Sequence, residues 1–160
     1  MNEDTMLVQR IANGTVVDHI PAGRALSVLR LLGEPQKRGV RVAIVMNVKS
    51  SKMGVKDLVK VEGLEIEEQT AQRLALIAPQ ATINIIREYE VVQKTKAVPP
   101  EVVYALLKCV SSSCITNKER EPLVTTFYRR SHKPLVYSCR YCGRDIDENE
   151  ISEQLIGVSL

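Results

Sequence analysis

The run GTVVDHIPAGRALSVLRLLG, residues 14–33, passes from one structural period to another at a single proline. GTVVDHI (14–20) has the apolar, β-branched make-up of a short strand. After it, Ala22, Ala25, Leu26, Leu29 and Leu32 recur at helical spacing, and Val28 and Leu31 widen that face. Pro21 suits the first position of a helix, and Gly33 suits the residue just past its end. The reading predicts a strand over 14–20 followed by a helix over 21–33.

Working outward, GVRVAIVMNV (39–48) reads as a strand with Val40, Val42, Ile44, Met46 and Val48 on one face. Ala43 and Val45 make its second face apolar too, so it is either a central strand or an edge strand paired to a second subunit. KSSKMG (49–54) is a loop and KDLVKVEG (56–63) a third strand. EIEEQTAQRLALIAP (65–79) is a second helix, with acids at its N-terminal end and Pro79 as its stop. ATINIIREYEVVQKTKAV (81–98) is strand-rich with a bend near Glu88, and TMLVQRI (5–11) offers further strand material. The order strand-helix-strand-strand-helix-strand is the split βαβ plan. The fold class expected is α+β: a ferredoxin-like α/β sandwich with an antiparallel sheet, then a small all-β C-terminal domain.

The division rests on composition. All four cysteines fall in the last third, and AVPPE (97–101) places two prolines between the halves. The expected domains are 1–98 and 101–160. With 44% hydrophobic and 26% charged residues, the chain reads as soluble and globular. It has one Phe and no Trp, so the core must be aliphatic. A net charge of +3 permits an anionic ligand without requiring nucleic acid. No apolar run approaches the roughly 20 residues that span a bilayer, and MNEDTM is unlike a signal peptide. A cytoplasmic protein without membrane contact is expected.

Lys56, Leu58 and Lys60 share one face of the third strand, with Asp57 pointing the other way. Lys94 and Lys96 share a face of the last strand. A solvated lysine surface is the plain reading. A phosphate site using lysines as point charges is the sharper one, although neither a P-loop nor a GxGxxG accompanies it. Asp18 and His19 adjoin each other. Strand alternation would send them to opposite faces, which disfavours a catalytic dyad. Asp18 could instead cap the following helix, or both could meet a ligand through ribose hydroxyls and phosphate.

Cys109 and Cys114 are followed by Cys139 and Cys142, a Cys-x4-Cys then Cys-x2-Cys pattern. This spacing reads as a closed, structural four-thiolate zinc site. Gly143 suits the tight turn after the second pair. His132, in the basic run YRRSHKP (128–134), lacks ligand spacing and reads as a surface residue. A zinc-ribbon nucleic-acid-binding protein is the alternative from another class. The scarcity of aromatics to stack bases disfavours it.

GTVVDHIP, MGVKDLVKVE, LALIAPQATIN, YEVVQK and the cysteine set, in this order, resemble the regulatory chains of aspartate carbamoyltransferase over nearly the whole sequence. The resemblance implies a non-catalytic subunit of pyrimidine synthesis whose N-terminal domain binds the effectors ATP and CTP, sometimes with UTP. Its zinc domain would dock on the catalytic chain. A regulatory homodimer would link catalytic trimers. Carried onto this sequence, the family's nucleotide contacts fall on Val8, Gln9 and Ile11 near the base and on Asp18 and Lys60 at ribose and base. His19, Lys56, Val91 and Lys94 fall on the phosphate side, with Asn84, Ile86 and Tyr89 completing the wall and Leu58 between the two lysines of its strand. The zinc ligands fall on the same four cysteines. Four stretches depart from the family pattern, the acidic N-terminus MNEDTM among them. Gln9-Arg10 replaces a frequent acid, and VSSS (110–113) replaces an asparagine-richer segment associated with contacts to the catalytic chain. The tail ISEQLIGVSL (151–160) is longer than usual and carries no assigned role.

Overall fold

The structure, a computed structural model, describes residues 9–120 and 122–160. Its backbone forms two compact units that divide between Pro99 and Pro100.

The first unit runs β1 (Gly14–Pro21), α1 (Ala25–Leu31), β2 (Val42–Ser50), β3 (Gly54–Glu62), α2 (Glu68–Ile77), β4 (Thr82–Arg87) and β5 (Glu90–Lys96). The sheet order is β2-β3-β1-β4-β5, antiparallel throughout. This is the ferredoxin-like order with one extra strand hairpinned onto β4. Strand parity decides its layers. Val17, Val59, Val61, Ile83 and Ile85 share one core with Ala25, Val28 and Leu29 of α1 and Leu74 and Ala75 of α2. Successive strand residues alternate faces, so the even-numbered neighbours on β1, β3 and β4 are left on the face without helices. Gly14 is needed where β1 starts: φ is +140°, and a Cβ there would sit 2.2 Å from the Val61 carbonyl oxygen.

Several boundaries differ from the sequence reading. The helix expected at 21–33 starts at Ala25, because Pro21 is still strand and pairs with Lys56. Asp57 explains the shift. Its Oδ2 accepts from the backbone N–H of Gly23 at 2.9 Å and of Ala25 at 3.0 Å, while its Oδ1 accepts from Asn47 N–H at 2.9 Å. The cap therefore comes from β3, across the sheet, and not from Asp18. Gly33 follows α1 with φ +82°, as expected. The bend near Glu88 is the two-residue turn Glu88-Tyr89, with φ of +51° and +67°. The strand β2 lies at the sheet edge, not its centre. Val42 and Ile44 pack partly against the core of their own unit. Of the strand material read over 5–11, residues 1–8 lie outside the described residues and 9–11 form no strand.

The second unit is a four-stranded antiparallel meander, β6 (Val102–Tyr104), β7 (Thr126–His132), β8 (Leu135–Cys139) and β9 (Asp145–Ile146), followed by α3 (Glu148–Ile156). Its buried apolar side chains include Phe127, Leu135, Tyr137, Ile146 and Ile151. The Tyr137 hydroxyl donates to the Pro100 carbonyl at 2.7 Å. The sheet matches the all-β expectation, and the unassigned tail adds the helix. Asp147 caps α3 by accepting from Glu150 N–H at 2.9 Å, and Gly157 ends it with φ +78°.

Candidate functional site

On the helix-free face of the first unit lies a cleft of about 310 Å³. Val16 and Asp18 line it from β1, Leu58 and Lys60 from β3, and Thr82, Asn84 and Ile86 from β4. Tyr89, Val91 and Lys94 line it from the β4–β5 hairpin, and Arg10 and Ile11 from the segment before β1. The walls thus mix apolar side chains with three cationic groups, Arg10, Lys60 and Lys94, and one acid, Asp18.

The charges are arranged around one acid. Asp18 Oδ1 accepts from Lys56 Nζ at 2.9 Å and from the His19 N–H at 2.6 Å. Lys60 is only 9% exposed, and burial lowers its pKa, with Asp18 partly offsetting the effect. Its ammonium donates to the Gln9 carbonyl at 3.4 Å. That long bond uses one of three donors, so others remain for a ligand.

His19 departs from the alternation expected of it. Its φ is +54°, and the β1–β3 register shifts between Val17 and Ile20. This bulge re-aims the side chain, so Asp18 and His19 both line the cleft and do not point to opposite faces. His19 Nδ1 lies 3.2 Å from Thr82 Oγ1 and 3.9 Å from Asp18 Oδ2. Burial lowers its pKa first, Asp18 works against that, and Lys56, Lys52 and Lys94 add to the lowering. The pair is not built as a dyad, since Asp18 is engaged by Lys56.

Most residues named from the sequence converge here: Ile11, Asp18, His19, Leu58, Lys60, Asn84, Ile86, Tyr89, Val91 and Lys94. Lys56 stands behind Asp18 as its ion-pair partner, and Gln9 touches the site through its carbonyl. Val8 lies outside the described residues. Sequence reasoning missed Arg10, Val16 and Thr82. Val16 shares parity with Asp18, and Thr82 with Asn84 and Ile86, so alternation was signal enough for both. Nothing in the sequence pattern marked Arg10.

In the second unit the four cysteines form one cluster, their sulfurs all within 4.8 Å of one another. Cys109 Sγ is 3.4 Å from Cys142 Sγ, and Cys114 Sγ is 3.8 Å from Cys139 Sγ. A tetrahedral zinc with Zn–S bonds of about 2.3 Å separates its sulfurs by roughly 3.8 Å, so the donor set fits one closed, structural zinc. Such spacings are far too long for disulfides. The loops hold the ligands in place. Gly143, at φ +76°, donates its N–H to the Cys139 carbonyl at 2.9 Å. Asn117 Nδ2 bonds the carbonyls of Cys109 at 2.9 Å and Ser111 at 2.7 Å. For Cys114 burial opposes ionisation, yet hydrogen bonds from the Thr116 hydroxyl and N–H outweigh it and bring the thiol down to about 7.

No helix among the described residues is long and apolar enough to cross a membrane. Residues 6–98 match the family described as aspartate carbamoyltransferase regulatory chain, allosteric domain, and residues 101–152 match the metal binding domain of the same family. The chain is 50% identical over 154 residues to the aspartate carbamoyltransferase regulatory chain of Thermofilum pendens, covering 96% of this chain and 97% of that one. It is 51% identical over 158 residues to that of Sulfolobus acidocaldarius, covering 99% and 96%. With that of Korarchaeum cryptofilum it shares 48% identity over 156 residues, covering 98% and 99%. Two domain matches in tandem and relatives aligned almost end to end agree with the cleft and the thiolate cluster: the chain belongs to the family of aspartate carbamoyltransferase regulatory chains.

Proposed function

We propose that the cleft binds a nucleoside triphosphate, ATP or CTP with UTP as a further candidate, as an allosteric effector of pyrimidine synthesis. The observation that carries this reading is the gathering of Lys60, Lys94 and His19 around a partly apolar cleft whose one acid, Asp18, is already paired with Lys56. An acid beside lysines suits a ribose next to phosphates. The apolar positions Ile11, Leu58, Ile86 and Val91 suit the base. An effector shifts an equilibrium only by binding one state more tightly than the other. The nucleotide would therefore act by favouring one arrangement of a larger assembly.

In that assembly the zinc unit docks on the catalytic chain, and pairs of regulatory chains link catalytic trimers. The edge position of β2 supports pairing of two regulatory chains through that strand, whose outer backbone groups are open to a partner. The test is titration of the full chain with ATP and CTP. Lys60→Ala and Lys94→Ala should each weaken both nucleotides at least tenfold while leaving the fold unchanged by circular dichroism. Unchanged affinity in both variants would falsify the assignment of the cleft.

A further inference from the structure

The tail helix α3 makes one contact that neither the cleft nor the sheet requires. Gln154 donates from Nε2 to the Lys108 carbonyl at 2.8 Å and accepts at Oε1 from the Lys108 N–H at 2.7 Å. Lys108 lies outside any strand or helix, directly before the first zinc ligand, Cys109. A side-chain amide thus does for one loop residue what a neighbouring strand would do, satisfying both its backbone groups. The helix that presents Gln154 is itself fixed. Ile151 and Ser152 are fully buried, and Ser152 donates to the Val158 carbonyl at 2.5 Å. On the far side of Cys109, Asn117 holds the loop by the Cys109 and Ser111 carbonyls. Cys109 is therefore gripped from both sides, and the outer grip comes from beyond residue 152, where the match to the family's metal binding domain ends.

We propose that Gln154 is a positioning residue for the zinc site: by clamping the backbone of Lys108 it holds Cys109 in ligand geometry and slows release of the metal. Release of zinc from a closed site needs a first ligand to swing away, and a ligand whose preceding residue is tied down swings less freely. Two backbone hydrogen bonds of ordinary net strength correspond to about a tenfold effect on that step. The test uses the full zinc-loaded chain and follows transfer of zinc to a chromophoric chelator. Gln154→Ala and Gln154→Leu should lose zinc about tenfold faster than the parent chain. Gln154→Glu keeps the acceptor for the Lys108 N–H but cannot donate to its carbonyl, so its rate should fall between. Lys108→Ala keeps both backbone groups and should release zinc at the parent rate. Parent-like rates in both Gln154→Ala and Gln154→Leu overturn the proposal, and so does a Lys108→Ala rate as fast as theirs. If the alanine variant does not fold, the ordering of Gln154→Glu against the parent and Lys108→Ala decides the matter.

Discussion

Two adjoining strand positions, 56 and 57, do opposite work. Lys56 turns to the cleft side and pairs with Asp18, while Asp57 turns inward, fully buried, and takes three backbone N–H groups. Parity alone separates these roles, and parity was readable in KDLVKVEG. The partners of Asp57 were not readable, because they come from two other elements. Asp57→Ala would leave three N–H groups without their acceptor. At about 1–3 kcal/mol for the buried Ala25 N–H and less for the part-buried Gly23 and Asn47 N–H groups, a loss of roughly 2–5 kcal/mol is expected, measured by urea unfolding of the full chain. A loss under about 1 kcal/mol would show that water or a shifted loop replaces the carboxylate. His19 carries the pH dependence. Its folded pKa lies below the ordinary 6.5, chiefly through burial. The unfolded chain therefore binds this proton more readily, so the associated stability is complete above about 6.5 and is lost as pH falls through the lowered folded value. A triphosphate beside the ring reverses the preference, because an anion favours imidazolium. Nucleotide affinity should rise as pH drops below about 6.5, and the rise should be smaller in His19→Gln, which removes this titration while the ligand's own remains. Parallel pH profiles for the two proteins would remove His19 from the phosphate side.

The β4–β5 hairpin shows how an element can be built against its own backbone preference. Glu88 and Tyr89 both adopt positive φ, the conformation that two-residue hairpin loops give to Asn-Gly. Neither residue favours it, yet Tyr89 lines the cleft, and the turn is tied down by Tyr89 N–H to the Ala12 carbonyl at 2.9 Å and by Arg10 to the Tyr89 carbonyl at 2.8 Å. Strain of this kind persists where the side chain is needed. Tyr89→Gly should therefore raise stability by up to about 1 kcal/mol in thermal unfolding while weakening nucleotide binding. A variant that gains neither stability nor weaker binding would mean that the turn is chosen for neither reason. The element order was legible because strand and helix periods alternate cleanly from 14 to 98. What was not legible is where long-range contacts override local pattern. Pro21 looks like a helix start and is a strand end, since Lys56 pairs with it and Asp57 caps the helix further on. The bulge at Asp18-His19 has no marker such as glycine, so alternation misplaced His19. The tail lacked a strong apolar stripe, and its helix is declared only by Asp147 and Gly157 at its ends.

At the scale of the whole molecule, the two units draw their stability from different sources. The first has a continuous aliphatic core shared by two helices and strands β1 to β4, while β5 is exposed along its length. The second is a short meander with one helix, and a unit of that size buries too little apolar surface to be secure alone. Four thiolates brought within 4.8 Å of each other make up the difference, because metal binding to a site absent from the unfolded chain is folding free energy. The division predicts an asymmetric response to a strong chelator. Amide exchange protection should disappear in β7 and β8 and survive in β1, β3 and β4, and the chain should still bind ATP. Cys114→Ala should behave as the chelated protein does. Mixed with catalytic chains, neither should assemble, whereas the untreated chain should. Assembly at the untreated level after zinc removal would place the docking surface in the first unit. Loss of ATP binding together with assembly would instead mean that the two units do not fold independently.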